Sequence, residues 1–366
     1  MSLLKMKTFS IISLAAALLP GPFVPSALAD DGVINIRVSV KVIRSSTGAE
    51  PTNGLTAPRT VDDLITDEIN RGNETLRRTQ RGYRLLLLPV QRIQPAKPSG
   101  QTDADYWFTL AARENRAALE TAAAGNTTTW KWDSTAMNVY INNTGSGQCS
   151  FPGDGQTIMM GTDIGAGTLF HEAGHFFNLS HTHGGDYDNP RTGATRVFTA
   201  SELTDGDALA ETANDNPNII TINQLSGALY AGATYASLPA FQQRVVNSAF
   251  ENVMSYHNEN ELLPNQMNLF TDAANSSSSR HAAVSGYTRY VESYGSNTIV
   301  FGLSNDGLVS SSPLKTLAKA VANAGAANDG DEIILLGNAH FNEPMTISTP
   351  VTLRTSQGNT AVIGKP

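Results

Sequence analysis

Cysteine is nearly absent, with Cys149 the only one in 366 residues. An internal disulfide is therefore excluded, and so is a lipid anchor on a cysteine near the N-terminus. The lone thiol reads as a small buried residue. Basic residues are in deficit, 25 Lys and Arg against 33 Asp and Glu, for a net charge of −8. That balance lacks the basic footprint nucleic acid requires, so no nucleic-acid partner is expected. Long apolar runs are scarce too. "FSIISLAAALL" near the start is too short to span a bilayer, and the longest compact run after it is "LLLLPV" at 85–90. No transmembrane segment is expected. Histidine is also rare, seven in all, yet four of them (His171, His175, His181 and His183) crowd into one short stretch.

The early apolar run follows Lys5 and Lys7 and precedes the small-x-small set Ala27-Leu28-Ala29. Residues 1–29 therefore read as an export signal cleaved before Asp30, a buried N-terminal helix being the alternative. Loss of the segment takes two lysines and moves the net charge to −10. The expected location is outside the cell or on its surface. With 40% hydrophobic and 16% charged residues, the remainder can bury a real core.

Elements follow from period and punctuation. "VINIRVSVKVI" (33–43) alternates as a half-buried strand. Residues 60–80 have helical spacing, with Thr60 as N-cap and Asp62 and Asp63 in the first turn. "YRLLLLPVQRI" (83–93) predicts a second strand, 103–125 a helix ending at Gly125, "AMNVYIN" (136–142) a third strand and "GQTIMMG" (155–161) a short fourth. The histidine stretch then continues as a helix. This order predicts an α+β fold, a mixed sheet carrying helices, with the histidines on the helix after the last strand.

From 184 to about 238 the chain is rich in Asp, Asn, Gly and Thr and reads as loop-rich, with no helix expected before about 238. Helices are expected around 238–250 and from Pro264 onward. After about 304 the character changes to one short helix and brief strands, with apolar pairs recurring every ten residues or so in "IILL", "MTI", "VTL" and "AVIG". Such rungs suggest a short β-rich solenoid. Two or so rungs precede Pro366, so a partner or further sequence covers that end, or the product is truncated. The expected division is 1–29 signal, 30–300 main domain and 301–366 C-terminal segment.

The histidines carry the chemistry. His171 and His175 are four residues apart, so a helix puts both imidazoles on one face. Two neutral imidazoles so placed suit a borderline ion such as Zn²⁺. Glu172 sits at the edge of that face, where it can act as a general base beside two ligands. A tetrahedral catalytic zinc needs a third protein ligand and keeps one place open. His181 follows His175 by six residues, about 600° further round a continuing helix, so the helix must break between them. Asn178 is the natural breaking point, because Asn takes the left-handed conformation readily. His183 is the rival third ligand.

The pattern His171-Glu172-x-x-His175-x-x-Asn178-x-x-His181 resembles the signature of the metzincin zinc metallopeptidases, with Asn178 where that family has Gly. "NVMSYH" (252–257) resembles the family's methionine turn. The resemblance implies a catalytic domain of mixed twisted sheet, backing helix and zinc-site helix. It places Met254 beneath the ligands and Tyr256 near the metal as an oxyanion donor. Within metzincins the chain is most similar to the pappalysin-like group. "MNVYINN" followed by "CSFPGDG", Thr182 directly after His181, and "DGDALAETANDNPN" and "NVMSYHNENELLPNQM" carry that likeness. It extends over roughly 33–275. That group often binds structural Ca²⁺, for which Asp205, Asp207 and Asp215 are the candidates here, an ordinary solvated loop being the alternative.

The implied function is a secreted zinc-dependent endopeptidase, with Zn²⁺ on His171, His175 and His181, Glu172 as base, and a protein or peptide substrate. The "TIMM" strand is the expected cleft edge on which an extended peptide pairs. The C-terminal segment resembles the first rungs of secreted parallel β-helix proteins, which implies contact with a cell surface or polysaccharide. The alternative is a surface adhesin or glycan-binding protein carrying an inactive peptidase-like domain.

Overall fold

The computed structural model describes residues 33–184, 193–257, 261–292, 295, 308, 310–324, 331–348, 351–356 and 359–364. The expected export signal lies outside them. The first strand, β1 (Ile34–Ile43), leads to the helix α1 (Val61–Arg78). Thr60 caps α1 by accepting from the Asp63 amide, while the Asp63 carboxylate accepts from the Thr60 amide. β2 (Tyr83–Leu87) and β3 (Gln91–Ile93) come next, then the helices α2 (Tyr106–Thr109), α3 (Ala112–Gly125) and α4 (Thr127–Trp130). β4 (Met137–Gly145), β5 (Gly147–Cys149) and β6 (Thr157–Asp163) complete a six-stranded sheet of order β2-β1-β4-β6-β5, with β3 also on β1. All pairs are parallel except β5 with β6.

The sheet is covered on both faces, because alternate residues of its strands feed two cores. Ile34, Ile36, Val38, Val40 and Val42 of β1, with Val139, Ile141, Ile158 and Met160, pack against α1 and against α5 (Thr168–Phe176). Ile43, Tyr140 and Met159 face the other way, against Trp107, Leu119 and Trp130 of α2, α3 and α4. Lys41 shares that second face and is fully buried. It donates to Asn138 Oδ1 and Ser39 O, and burial lowers its pKa to about 7.

Four expectations are corrected. The run 83–93 is two strands, because Pro89 has no amide to continue the ladder. Leu87 pairs with Val38 but Gln91 with Lys41, so one extra residue is accommodated between them. The helix expected over 103–125 breaks at Leu110, which is extended. Asn142 of β4 donates to the carbonyls of both Trp107 and Leu110, and so replaces helical partners there. The "TIMM" strand β6 is not an edge. The hairpin strand β5, too short to show alternation, lies outside it. The stretch read as loop-rich holds a helix, α6 (Ile222–Leu229), capped by Thr221 and Gln224.

The helices α7 (Ala240–Phe250), α8 (Pro264–Ser276) and α9 (Ser278–His281) follow, α8 entered at Pro264 as expected. β7 (Thr288–Val291) then leaves the first sheet. After α10 (Leu317–Asn323), it pairs in parallel with β8 (Glu332–Leu335), which pairs in parallel with β10 (Thr352–Thr355). β9 (Ala339–Phe341) pairs with β11 (Ala361–Ile363) in the same sense. Glu332 is fully buried, accepts from the Gly82 amide at 2.9 Å and forms an ion pair with Arg354 at 2.7 Å, which fastens this sheet to the start of β2. Among the described residues no helix is long and apolar enough to cross a membrane.

Candidate metal centre

The site is built on α5. Gly167 starts it at φ +89°, and His171 and His175 lie one turn apart on one face, ring centroids 4.8 Å apart. The helix stops after Phe176, and Asn178 adopts φ +70°, the left-handed conformation that its position demanded. The Leu179 amide then returns to Gly174 O at 2.9 Å, and the chain reverses. This reversal brings His181 Nε2 to 3.1 Å from His171 Nε2 and 3.0 Å from His175 Nε2.

Backbone carbonyls set the tautomers. His171 Nδ1 donates to Val253 O at 2.7 Å, and His175 Nδ1 donates to Leu179 O at 2.7 Å. A carbonyl only accepts, so in each ring the proton is on Nδ1 and the Nε2 lone pair points into the cluster. Burial, reinforced by the neighbouring imidazoles, holds His175 down to about 3 and lowers His181 further. Burial lowers His171 as well. All three rings are therefore neutral at physiological pH, the state a metal ligand needs.

The Nε2 lone pairs of His171 and His175 thus face His181 Nε2 at one point, where a cation can lie between the three rings. The ligand atoms of His171, His175 and His181 all fall within 4.8 Å of each other, the one such group of His, Cys, Asp or Glu among the described residues. Bonds of about 2.0–2.1 Å to a tetrahedral ion place two ligand nitrogens roughly 3.3 Å apart. The observed 3.0 and 3.1 Å are close to that, so the residues fit zinc. His183 does not join the group. Its ring stacks on His181 at 4.8 Å and meets Tyr256 at 4.5 Å.

Glu172 points to the other side of the helix edge, onto β5. Its carboxylate accepts from the Cys149 amide, and burial pushes its pKa up to about 8. Gly147 makes room for it, since a Cβ there would lie 2.8 Å from Glu172 Oε1. Cys149 itself is buried, and burial raises its pKa well above normal, as befits an inert thiol. Phe151, just past β5 and 36% exposed, lays its ring 5.0 Å from that of His175 and forms an apolar wall.

The turn at 252–257 closes the floor. The Met254 amide donates to Asn252 Oδ1 at 2.9 Å, and Ser255 Oγ to Asn252 O at 2.7 Å. Met254 is fully buried under α5, and only a glycine at 174 permits it, because a Cβ there would meet Met254 Sδ at 2.3 Å. The Tyr256 ring lies 4.9 Å from that of His181 and 6.0 Å from that of His171. Asp215 is fully buried and ties the segment after the third histidine to this turn. It accepts from Thr182 Oγ1 at 2.9 Å and meets His257 Nε2 at 3.1 Å.

The three aspartates considered for Ca²⁺ each have partners within the chain. Asp215 is committed as just described, Asp205 accepts from the Ala208 amide, and Asp207 accepts from the Leu209 amide and Gln266 Nε2. Sequence reasoning missed Gly147, the buried Asp215–His257 pair and Gly174. For Gly174 a signal existed, a glycine inside the histidine motif itself, four residues before the helix breaker.

The break at Asn178 gives a direct test. Asn178→Gly keeps the left-handed turn without strain and should bind zinc like the parent. Asn178→Val puts a β-branched residue at positive φ and should displace His181. Chelator competition is expected to show at least about a tenfold loss of zinc affinity for the valine variant. Equal affinity in all three proteins would show that this turn does not place the third ligand.

No family model matches the chain, and no curated protein matches it. A solved structure titled "Structure of a chaperone-substrate complex" is similar at a TM-score of 0.28 and 12% identity, over 62% of this chain and 35% of that one. This chain thus spans well under two thirds of that one, and so low a score carries no argument about fold or activity.

Proposed function

We propose that this protein is a secreted zinc endopeptidase of metzincin type, most similar to the pappalysin-like group. One observation carries the reading: three neutral imidazoles converge by Nε2 while the buried carboxylate of Glu172 sits on the same helical turn. The fully buried Met254 beneath that helix and the adjacent Tyr256 ring support the metzincin assignment. So does a mixed sheet whose antiparallel edge strand lies beside the site.

In this reading His171, His175 and His181 hold Zn²⁺, which when bound supplies a Lewis acid for the scissile carbonyl and for the attacking water. Glu172 takes the water's proton and passes it to the leaving amine. Tyr256 donates to the developing oxyanion. An extended peptide pairs with the outer edge of β5, the strand that replaces β6 in this role. The parallel pairs of the C-terminal segment fit the first rungs of a solenoid presented to a cell surface or polysaccharide.

The test is metal analysis of the purified protein together with hydrolysis of denatured casein or gelatin. One zinc per chain, with activity lost to a chelator and restored by zinc, is the expected result. Bound zinc without hydrolysis of any peptide in a diverse library would favour the adhesin reading instead.

A further inference from the structure

The metal-bearing helix is short, nine residues, and it is held at both ends by buried charges from distant parts of the chain. At its N-terminus, Glu68 of α1 is 1% exposed. Its Oε1 accepts from the Gly167 amide at 2.9 Å and its Oε2 from the Leu169 amide at 2.8 Å. Those amides belong to the first turn, where a helix has no carbonyls of its own to offer. At the C-terminus, Arg280 of α9 is fully buried. Its Nε donates to Phe176 O at 2.6 Å, and its guanidinium lies 4.0 Å over the Phe176 ring. The same guanidinium donates through Nη2 to Ser150 O at 2.9 Å and through Nη1 to Gly155 O and Ser279 Oγ.

The signs are those the helix dipole favours, negative at the start and positive at the end. The geometry also reaches the site from two sides. Arg280 grips Phe176, the neighbour of His175, and it grips Ser150, the neighbour of the Cys149 amide that holds Glu172. We infer that Glu68 and Arg280 are positioning residues that clamp the metal helix at its two ends, fixing where His171 and His175 meet His181. The inference rests on the reading of that cluster as a metal site.

Two conservative variants test it. In Glu68→Gln one side-chain atom becomes a donor and can no longer accept, so one first-turn amide loses its partner. Arg280→Lys keeps the charge but cannot span the carbonyls of Phe176, Ser150 and Gly155 with one planar fork. For each, the metal-free Tm, the zinc dissociation constant by chelator competition and the visible spectrum of the Co²⁺ form are measured. Outer-shell partners of a metal site are typically worth about 10–100-fold in affinity, and a loss of that size with an altered Co²⁺ spectrum is expected. Folded variants with a lower Tm but parental zinc affinity and Co²⁺ spectrum would overturn the clamp and leave only a structural role. A parent protein that binds no metal would instead overturn the metal reading.

Hydrogen exchange in the metal-free parent covers the case where a variant fails to fold. The Gly167 and Leu169 amides should be protected although they lie in the first turn. Exchange at the rate of exposed amides would remove the Glu68 half of the clamp, and with it the inference.

Discussion

Glu172→Ala is expected to abolish peptide hydrolysis while the zinc content stays at the parental level. In the proposed mechanism the carboxylate serves as the general base. It is not among the three converging ligands, and its partner is the Cys149 amide of β5. Removing a positioned general base costs about 10²–10⁴-fold in turnover. The structure adds a control. Because the carboxyl is buried against Gly147, alanine leaves a small cavity beside β5, and Glu172→Gln fills it without restoring a base. Both variants should therefore fall together. If glutamine kept near-parental kcat with zinc bound, Glu172 would be a packing residue and the attacking water would need another base.

The part of this site legible in the sequence is the part encoded at short range. The four-residue step from His171 to His175, the need for a break before His181 and Asn178 as its agent all follow from helix geometry. The observed φ of +70° at Asn178 is the direct counterpart of that argument. The positions of β1 and α1 were likewise readable from alternation and from the Thr60 cap, but β1 is buried on both faces rather than half-buried, because helices cover the sheet on either side.

What escaped is set by distance along the chain. Glu68 and Arg280 meet α5 across about a hundred residues on either side, and nothing in "DEIN" or "SSRH" announces a helix end elsewhere as its partner. The helix break at Leu110 has the same origin, since the side chain that replaces the helical partners, Asn142, comes from another strand. β5 is three residues long, too few to show a period. α6 was a different kind of miss. Its Thr221–Gln224 capping box stood in the sequence but was outweighed by the Asp, Asn and Gly around it.

Tyr256→Phe is expected to lower kcat and kcat/KM together by about 10²–10³-fold, the usual worth of one oxyanion donor. The Tyr256 ring is half-buried and 4.9 Å from the His181 ring, on the turn whose Val253 carbonyl orients His171. Phenylalanine preserves these ring contacts, including that with His183 at 4.5 Å, so the fold and the zinc should be nearly unaffected. The hydroxyl is assigned to charge that develops only as the carbonyl is attacked, so the ground-state complex should form as before and KM should hardly move. A packing role predicts something different. The ring contacts would then carry the whole effect, phenylalanine would be nearly silent, and only Tyr256→Ala would weaken zinc binding by letting His181 and His183 shift. Steady-state kinetics on one peptide, with zinc content measured on the same samples, separates the two. Parental kcat in the phenylalanine variant, or a rise confined to KM, would take Tyr256 out of the chemistry and leave it as a wall of the metal centre.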